Sequence, residues 1–295
     1  MTFHSAKAAG TKRFLVPYPG HGVVMSNIAE EYSEFGRRAC SAMHRLELGR
    51  TQQTGASAFT AILDETLKLH GAAHGKIHLV RPGGLELVAH KGFPARHVEA
   101  FQRLRPTPNS ACGWAIHRRV PIVIEDIHRI PELDVYKRVA DAIGFRAVLS
   151  APAFGPAKTL VGTLSAHFDS PHKLSRMHVH IMSMFAHQVA RIAVPSPPGT
   201  ASLKSRRMPD LIDVLRLCRR HQTQALTRII KQQLLIDRLE QHGHPTGNAD
   251  RLLGVMMDAL HQNLIYEVSL TRALDIAEAA PLLPEVPSST LHDPA

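Results

Sequence analysis

The run Pro195-Ser196-Pro197-Pro198-Gly199-Thr200 divides the chain into two parts with different periodicities. Three prolines and a glycine within six residues can neither continue a helix nor pair as an inner strand, so residues 195–204 read as an exposed linker. Upstream, stretches of period two alternate with stretches of three-and-four spacing; downstream, only the helical spacing occurs. The fold must therefore be a mixed body followed by an all-helical one. At 295 residues the chain is long enough for both to share a sizeable core.

The mixed part runs over 55–194 and begins with a helix, in which Phe59, Ile62, Leu63, Thr66, Leu67 and Leu69 are spaced to share a face. Ile77 and Leu79 then alternate with His78, and Leu85, Leu87 and Ala89 alternate with Glu86 and His90. Arg81-Pro82-Gly83-Gly84 between them supplies turn chemistry, so the two runs form a hairpin. Further strands are expected over Val120–Ile127, Arg146–Ala153 and Leu160–Phe168. The last places Leu160, Leu164 and Phe168 on one face and Thr163, Ser165 and His167 on the other. Short helices fill the gaps: a stripe of Val98, Phe101 and Leu104; a helix capped by Asn109 or Ser110 through Ile116; and a stripe of Val135, Val139, Ala142 and Ile143 stopped by Gly144. Ser175 starts a longer helix with Ile181, Phe185, Gln188, Val189 and Ile192 on one side. A hairpin followed by strands separated by helices is an α+β domain with a largely antiparallel sheet.

Before it, residues 1–50 hold one helix, Met25–Leu48, behind a mobile stretch to Gly22. After it, residues 205–275 read as a helical hairpin and dimerisation tail, and 276–295 as a disordered end. In the first tail helix Leu215, Cys218, Gln222, Ala225, Ile229, Gln232, Ile236 and Leu239 alternate spacings of three and four, the seam of a paired helix. A break at Gly243–Gly247 leads to Asn248 as N-cap of a second helix with a broad apolar surface through Leu264. Its partner is the first helix in a hairpin, or a second subunit completing a bundle. Residues 196–245 carry nine basic and four acidic side chains and 246–295 carry two and seven, an asymmetry that favours packing of one helix on the other.

Hydrophobic residues make up 44% of the chain, but no stretch approaches the roughly 20 apolar residues of a membrane span, and the N-terminus has no run fit for a signal peptide. A cytoplasmic protein without membrane contact is expected. Cys40, Cys112 and Cys218 lie far apart, which excludes disulfide scaffolds and Cys-rich zinc modules. The net charge of +10 permits nucleic-acid contact without establishing it. Of twenty histidines, His70 and His74 straddle the Gly71 helix end, and His178 and His180 point about 200° apart on one helix. Neither pair has a Cys or carboxylate in ligand spacing, so solvated histidines are expected, with no metal and no cofactor.

Several pieces match a known family in order and spacing. They are Ala73-His74-Gly75-Lys76-Ile77-His78-Leu79, His90-Lys91-Gly92-Phe93-Pro94, Ser110-Ala111-Cys112-Gly113, Ile124-Glu125-Asp126-Ile127, Gly144-Phe145-Arg146-Ala147-Val148, Pro152, and Leu160 through Phe168. Together they resemble the GAF domain family, in the form found in bacterial sensor proteins, over about Phe59–Ala193. The resemblance implies an antiparallel sheet of about six strands with helices on one face and a pocket under loops and short helices on the other. It also implies an unidentified small ligand, a homodimer, and a histidine kinase or response regulator as partner.

The pocket candidates are Phe93, Cys112, Trp114, Tyr136, Phe145 and His167; core packing is the competing role for each aromatic, and His167 faces the pocket or lies under a helix. Cys112 sits near a helix N-terminus, where the backbone dipoles lower a thiol pKa. A redox-sensor role for it competes with that of a small buried side chain. Bilin-binding relatives place His after their attachment cysteine where Gly113 stands here, and the methionine sulfoxide reductases of this fold use more than one cysteine in the domain. No catalysis is expected. For the tail, Leu215, Cys218, Ala225, Ile229, Ile236 and Leu239 are the candidate dimer or partner contacts. An RNA-binding ANTAR-like tail is the alternative, but its closing Arg-Asp-Val-Ala is missing and no aromatic interleaving supports base stacking, so nucleic acid is not expected as a partner. Gly71–Ile77 lacks the Ser/Thr of a phosphate loop. Asp258–Asn263 resembles a kinase phosphoacceptor helix without the basic residues that follow its histidine, and a complete kinase is not expected.

Overall fold

The computed structural model of the chain describes residues 23–49, 55–105, 109–194 and 208–279; the expectations for 1–22, 195–204 and 280–295 lie outside the described residues. The sheet grows from the expected hairpin, β1 (His74–Arg81) and β2 (Gly84–Lys91), which pair antiparallel with a register shift between Ile77 and His78. β1 pairs on its other side with β6 (Leu160–Phe168), and β6 with β5 (Ala147–Phe154), again antiparallel. Two short edges complete it, β3 (Arg103–Leu104) on β2 and β4 (Ile122–Ile124) on β5, giving the order β3-β2-β1-β6-β5-β4. The implied six-stranded antiparallel sheet is the one found.

Strand alternation gives the sheet two different faces. Ile77, Leu79, Leu149, Ala151, Leu164 and Ala166 pack in one large apolar core with α2 (Gly55–His70) and α6 (Arg176–Ala193). α6 starts where the sequence places it, the Ser175 hydroxyl accepting from the His178 amide. The other face is covered by short elements: α3 (Ala95–Phe101), α4 (Ala111–Arg118) and α5 (Asp134–Ile143). α4 is capped by Ser110, whose hydroxyl accepts from the Gly113 amide at 3.1 Å. α5 ends at Gly144 with φ 96°, a left-handed C-cap that glycine adopts without strain.

Three expectations for this region need correction. The strand expected over Val120–Ile127 shrinks to three residues, because the Asp126 carboxylate accepts from the His128 amide and turns the chain into a 3-10 turn at Ile127–Arg129. The stripe Val98-Phe101-Leu104 is broken, since Leu104 leaves the helix to pair with Leu85. On α5 the buried face is Tyr136 and Ala140, continuous with Leu133, while Val135 is 58% exposed. Two apolar stripes compete on this ten-residue helix, and the one whose tyrosine reaches Phe145 packs inward.

The tail is an antiparallel-type hairpin of two long helices, α7 (Met208–Gln241) and α8 (Gly247–Ala279), docked on α6 and on α1 (Val23–Gly49). α8 begins at Gly247, so Asn248 lies in its first turn instead of capping it, and the Thr246 hydroxyl donates to Asp250. Of the expected seam, Cys218, Ile229, Gln232 and Ile236 are buried within the chain itself. Polar contacts fix the docking. Gln233 accepts from the Met177 amide at the start of α6 at 2.9 Å, and Arg176 bridges Glu240 and Asp250 at 3.1 and 3.0 Å. Tyr32 donates to Asp237, and Arg219 pairs with Glu267 across the hairpin at 2.8 Å. The basic-then-acidic asymmetry of the tail thus appears as an ion pair between its helices.

Candidate functional site

The face of the sheet under α3, α4 and α5 is polar at its centre. In antiparallel register Lys76 stands opposite Ser165, His78 opposite Thr163, and Ser150 opposite Ser165, so these side chains line one face of β1, β6 and β5. All are buried: Lys76 is 3% exposed, and His78, Ser150 and Thr163 are fully enclosed. The Ser150 and Ser165 hydroxyls satisfy each other at 2.8 Å, and His78 Nε2 contacts the Phe101 carbonyl at 3.0 Å. The Thr163 hydroxyl and His78 Nδ1 have no partner among the described residues. A protein interior satisfies nearly all of its polar groups, so two orphans on one patch mark it as unusual.

Aromatic rings surround the patch. His167 is the hub: its ring lies 4.7 Å from Phe145 and 5.2 Å from Phe93, both edge-to-face, and its Nε2 is 3.3 Å from the Tyr136 hydroxyl. Phe93 meets Phe101 at 5.3 Å, and the Lys76 ammonium lies 3.7 Å over the Phe101 ring. Burial governs the protonation states. It drives His167 well below its ordinary value, with Lys76 adding to the effect, and takes His78 down to about 4 in the same way. It also lowers Lys76 and raises the Tyr136 phenol. At neutral pH the His78 and His167 imidazoles and the Tyr136 phenol are thus uncharged, and burial works against the charged form of Lys76 as well.

Of the residues singled out in the sequence, Phe93, Tyr136, Phe145 and His167 come together here. Cys112 is buried at the start of α4, with Sγ 3.4 Å from the Ser110 hydroxyl, and bears electrostatically on both Lys76 and Tyr136. Trp114 stands apart, half-buried at the edge of the second core with the Arg118 guanidinium 4.8 Å over its ring. Lys76, Phe101, Thr163 and Ser165 were not among the candidates. Lys76 and His78 share the period-two alternation with Ile77 and Leu79, which is the signal that could have placed them together on one face.

Several of the histidines expected in solvent are instead buried: His70, His78, His167 and His261. His70 is buried against Phe35 and His178, and His261, in the kinase-like stretch, is buried between α6 and α8, where it meets His187 and Gln188. No group of three His, Cys, Asp or Glu side chains fit to hold a metal occurs among the described residues. An open hollow of about 650 Å³ near the end of α2, lined by Asp64, Lys68 and Lys91 among others, has a solvated, charged rim and contains none of the patch side chains.

Residues 53–192 match the family model described as GAF domain. No curated protein matches the chain. Among solved structures, the GAF domain of a phosphoenolpyruvate-protein phosphotransferase from Acinetobacter is 13% identical, covering 52% of this chain and 92% of its own, with a TM-score of 0.45. The corresponding domain from Coxiella burnetii is 16% identical over 51% and 92%, with a TM-score of 0.43. The free methionine-R-sulfoxide reductase from Neisseria meningitidis, solved with its substrate, is 14% identical over 61% and 96%, with a TM-score of 0.43.

Proposed function

Residues 53–192 of this chain belong to the GAF domain family, and on that premise we propose that the protein is a sensory or regulatory element of bacterial signal transduction. In this reading a small ligand held on the polar face of the sheet sets the arrangement of the tail helices, and the protein carries out no catalysis of its own. The observation that carries it is the patch of Lys76, His78, Thr163 and His167: ionisable and polar groups buried beneath short helices, with Thr163, His78 and His167 not fully satisfied among the described residues. Burying such groups costs about 1–3 kcal/mol each, a cost a ligand supplying their partners removes.

The connectivity supports a relay. β6 carries Thr163, Ser165 and His167 and leads into α6, whose Met177 amide, Arg176 and Gln188 contact α7 and α8. A ligand that favours one position of β6 and α6 would shift the population of tail arrangements by its differential affinity. A homodimer and a histidine kinase or response regulator partner complete the reading. Leu252, Val255 and Tyr266, exposed on α8, supply apolar surface for either contact. No helix of the described residues is long and apolar enough to cross a membrane.

Thermal melting of the full chain against cyclic nucleotides, amino acids and aromatic acids tests the sensing step. Stabilisation by at least one compound, lost in Phe145→Ala or Tyr136→Phe, is expected. No stabilisation by any of them would reduce the domain to a scaffold.

A further inference from the structure

Lys76 is the unusual member of the patch. It is 3% exposed, it forms no ion pair among the described residues, and its ammonium rests on the ring of Phe101 at 3.7 Å with Phe93 at 5.8 Å. A buried ammonium normally has a carboxylate against it, because an unpaired charge is costly to desolvate. Here aromatic rings stand where a carboxylate belongs, and cation–π attraction offsets only part of that cost. Burial lowers the lysine's pKa, with Cys112 acting against the shift.

The surroundings restrict what could complete the site. The ionisable groups bearing on the patch besides Lys76 are His74, His78, His167, Tyr136 and Cys112. None of these is a carboxylate, so an anion entering the patch would meet the Lys76 side chain with no acidic group of the protein competing for it among the described residues. A dianion would bring a second charge with nothing to neutralise it. The free Thr163 hydroxyl, two residues from the lysine's strand partner Ser165 on the same face, offers a hydrogen-bond donor beside it. The remaining walls are the rings of Phe93, Phe101, Tyr136 and Phe145. They favour a flat apolar body.

We propose that this site takes a small carboxylate monoanion with a flat apolar body, its carboxylate paired to the Lys76 ammonium in place of the Phe101 ring. The inference rests on the sensory reading above and adds the ligand class. Phe101 is the last residue of seven-residue α3, followed by the two-residue edge strand β3. Little regular structure holds the ring in place, and its displacement links ligand entry to the elements that cover the site.

Full-length protein titrated at pH 7 with benzoate, with neutral benzamide as its isostere and with inorganic phosphate, tests the assignment. Benzoate is expected to raise the melting temperature and to bind about tenfold more tightly than benzamide, with phosphate inactive. Lys76→Met, which replaces the buried charge by an apolar chain of similar length, is expected to melt at or above the parent temperature and to lose the benzoate response. The benzoate-to-benzamide comparison on the unmodified protein stands even if that variant does not fold. Equal stabilisation by benzoate and benzamide, a benzoate response kept in Lys76→Met, stronger binding of phosphate, or no response to benzoate would each overturn the assignment. The sensory reading fails separately, only if the wider panel of compounds also leaves the melting temperature unmoved.

Discussion

Phe145 joins the two parts of the site. It is 1% exposed, lies edge-on to both Tyr136 and His167, and belongs to the core under α4 and α5. Phe145→Ala is expected to cost about 3–5 kcal/mol in urea unfolding, the loss of a buried ring plus its cavity, while Tyr136→Phe, which removes only a hydroxyl, costs about 1 kcal/mol. Equal effects from the two substitutions would contradict the placement of Phe145. His261 carries a pH signature of another kind. Burial between α6 and α8, with His187 and Arg191 nearby, takes it down to about 3. The unfolded chain protonates it near 6.5 and the folded chain does not, so its contribution is present above 6.5 and lost as pH falls towards 3. Between pH 6.5 and 5 that loss is about 2 kcal/mol. Urea unfolding of His261→Gln at pH 7 and pH 5 checks this: the variant is expected to lose less stability on acidification than the parent, and an unchanged difference would refute the assignment.

The close pairing of β1 and β6 places Lys76 and His78 against Thr163 and Ser165. A side chain at Gly162 would overlap the His78 carbonyl oxygen, so glycine is required where the two strands approach. Gly162→Ala is expected to destabilise the fold by about 1–3 kcal/mol, as overpacking does, and to weaken any ligand response by shifting the register of the polar patch. Unchanged stability and ligand response together would show that the approach is looser than described. Elements with a period or a cap were legible in the sequence: the hairpin at Arg81–Gly84, the two-sided β6, and the Ser110 and Ser175 caps. Elements whose position depends on remote packing were not. β3 is two residues held only by β2, and α5 turns Tyr136 inward because Phe145 and His167 lie below it. Lys76 escaped notice because a lysine at an alternating strand position normally faces water. Only the placement of α3 over that face reveals that it is enclosed.

At the scale of the molecule, two features matter: a sheet whose two faces have different chemistry, and a helical hairpin fixed to the helices on its apolar side. The apolar core continues from the sheet through α2 and α6 into Leu226, Ile229, Leu253 and Leu260 of the tail, so the tail is part of the folded body. Glu47 at the end of α1 is 2% exposed and paired with Arg191 of α6, which ties the N-terminal helix to the same assembly. Because the sheet and the tail share the apolar core on the α6 side, a change on the polar face of β6 is expected to reach α7 and α8 through α6. Hydrogen–deuterium exchange of the full chain, with and without a stabilising compound, tests this coupling most directly. Altered protection at α3 and β6 together with altered protection at α7 and α8 is the expected result; a change confined to the sheet and its covering helices, with the tail unmoved, would contradict it.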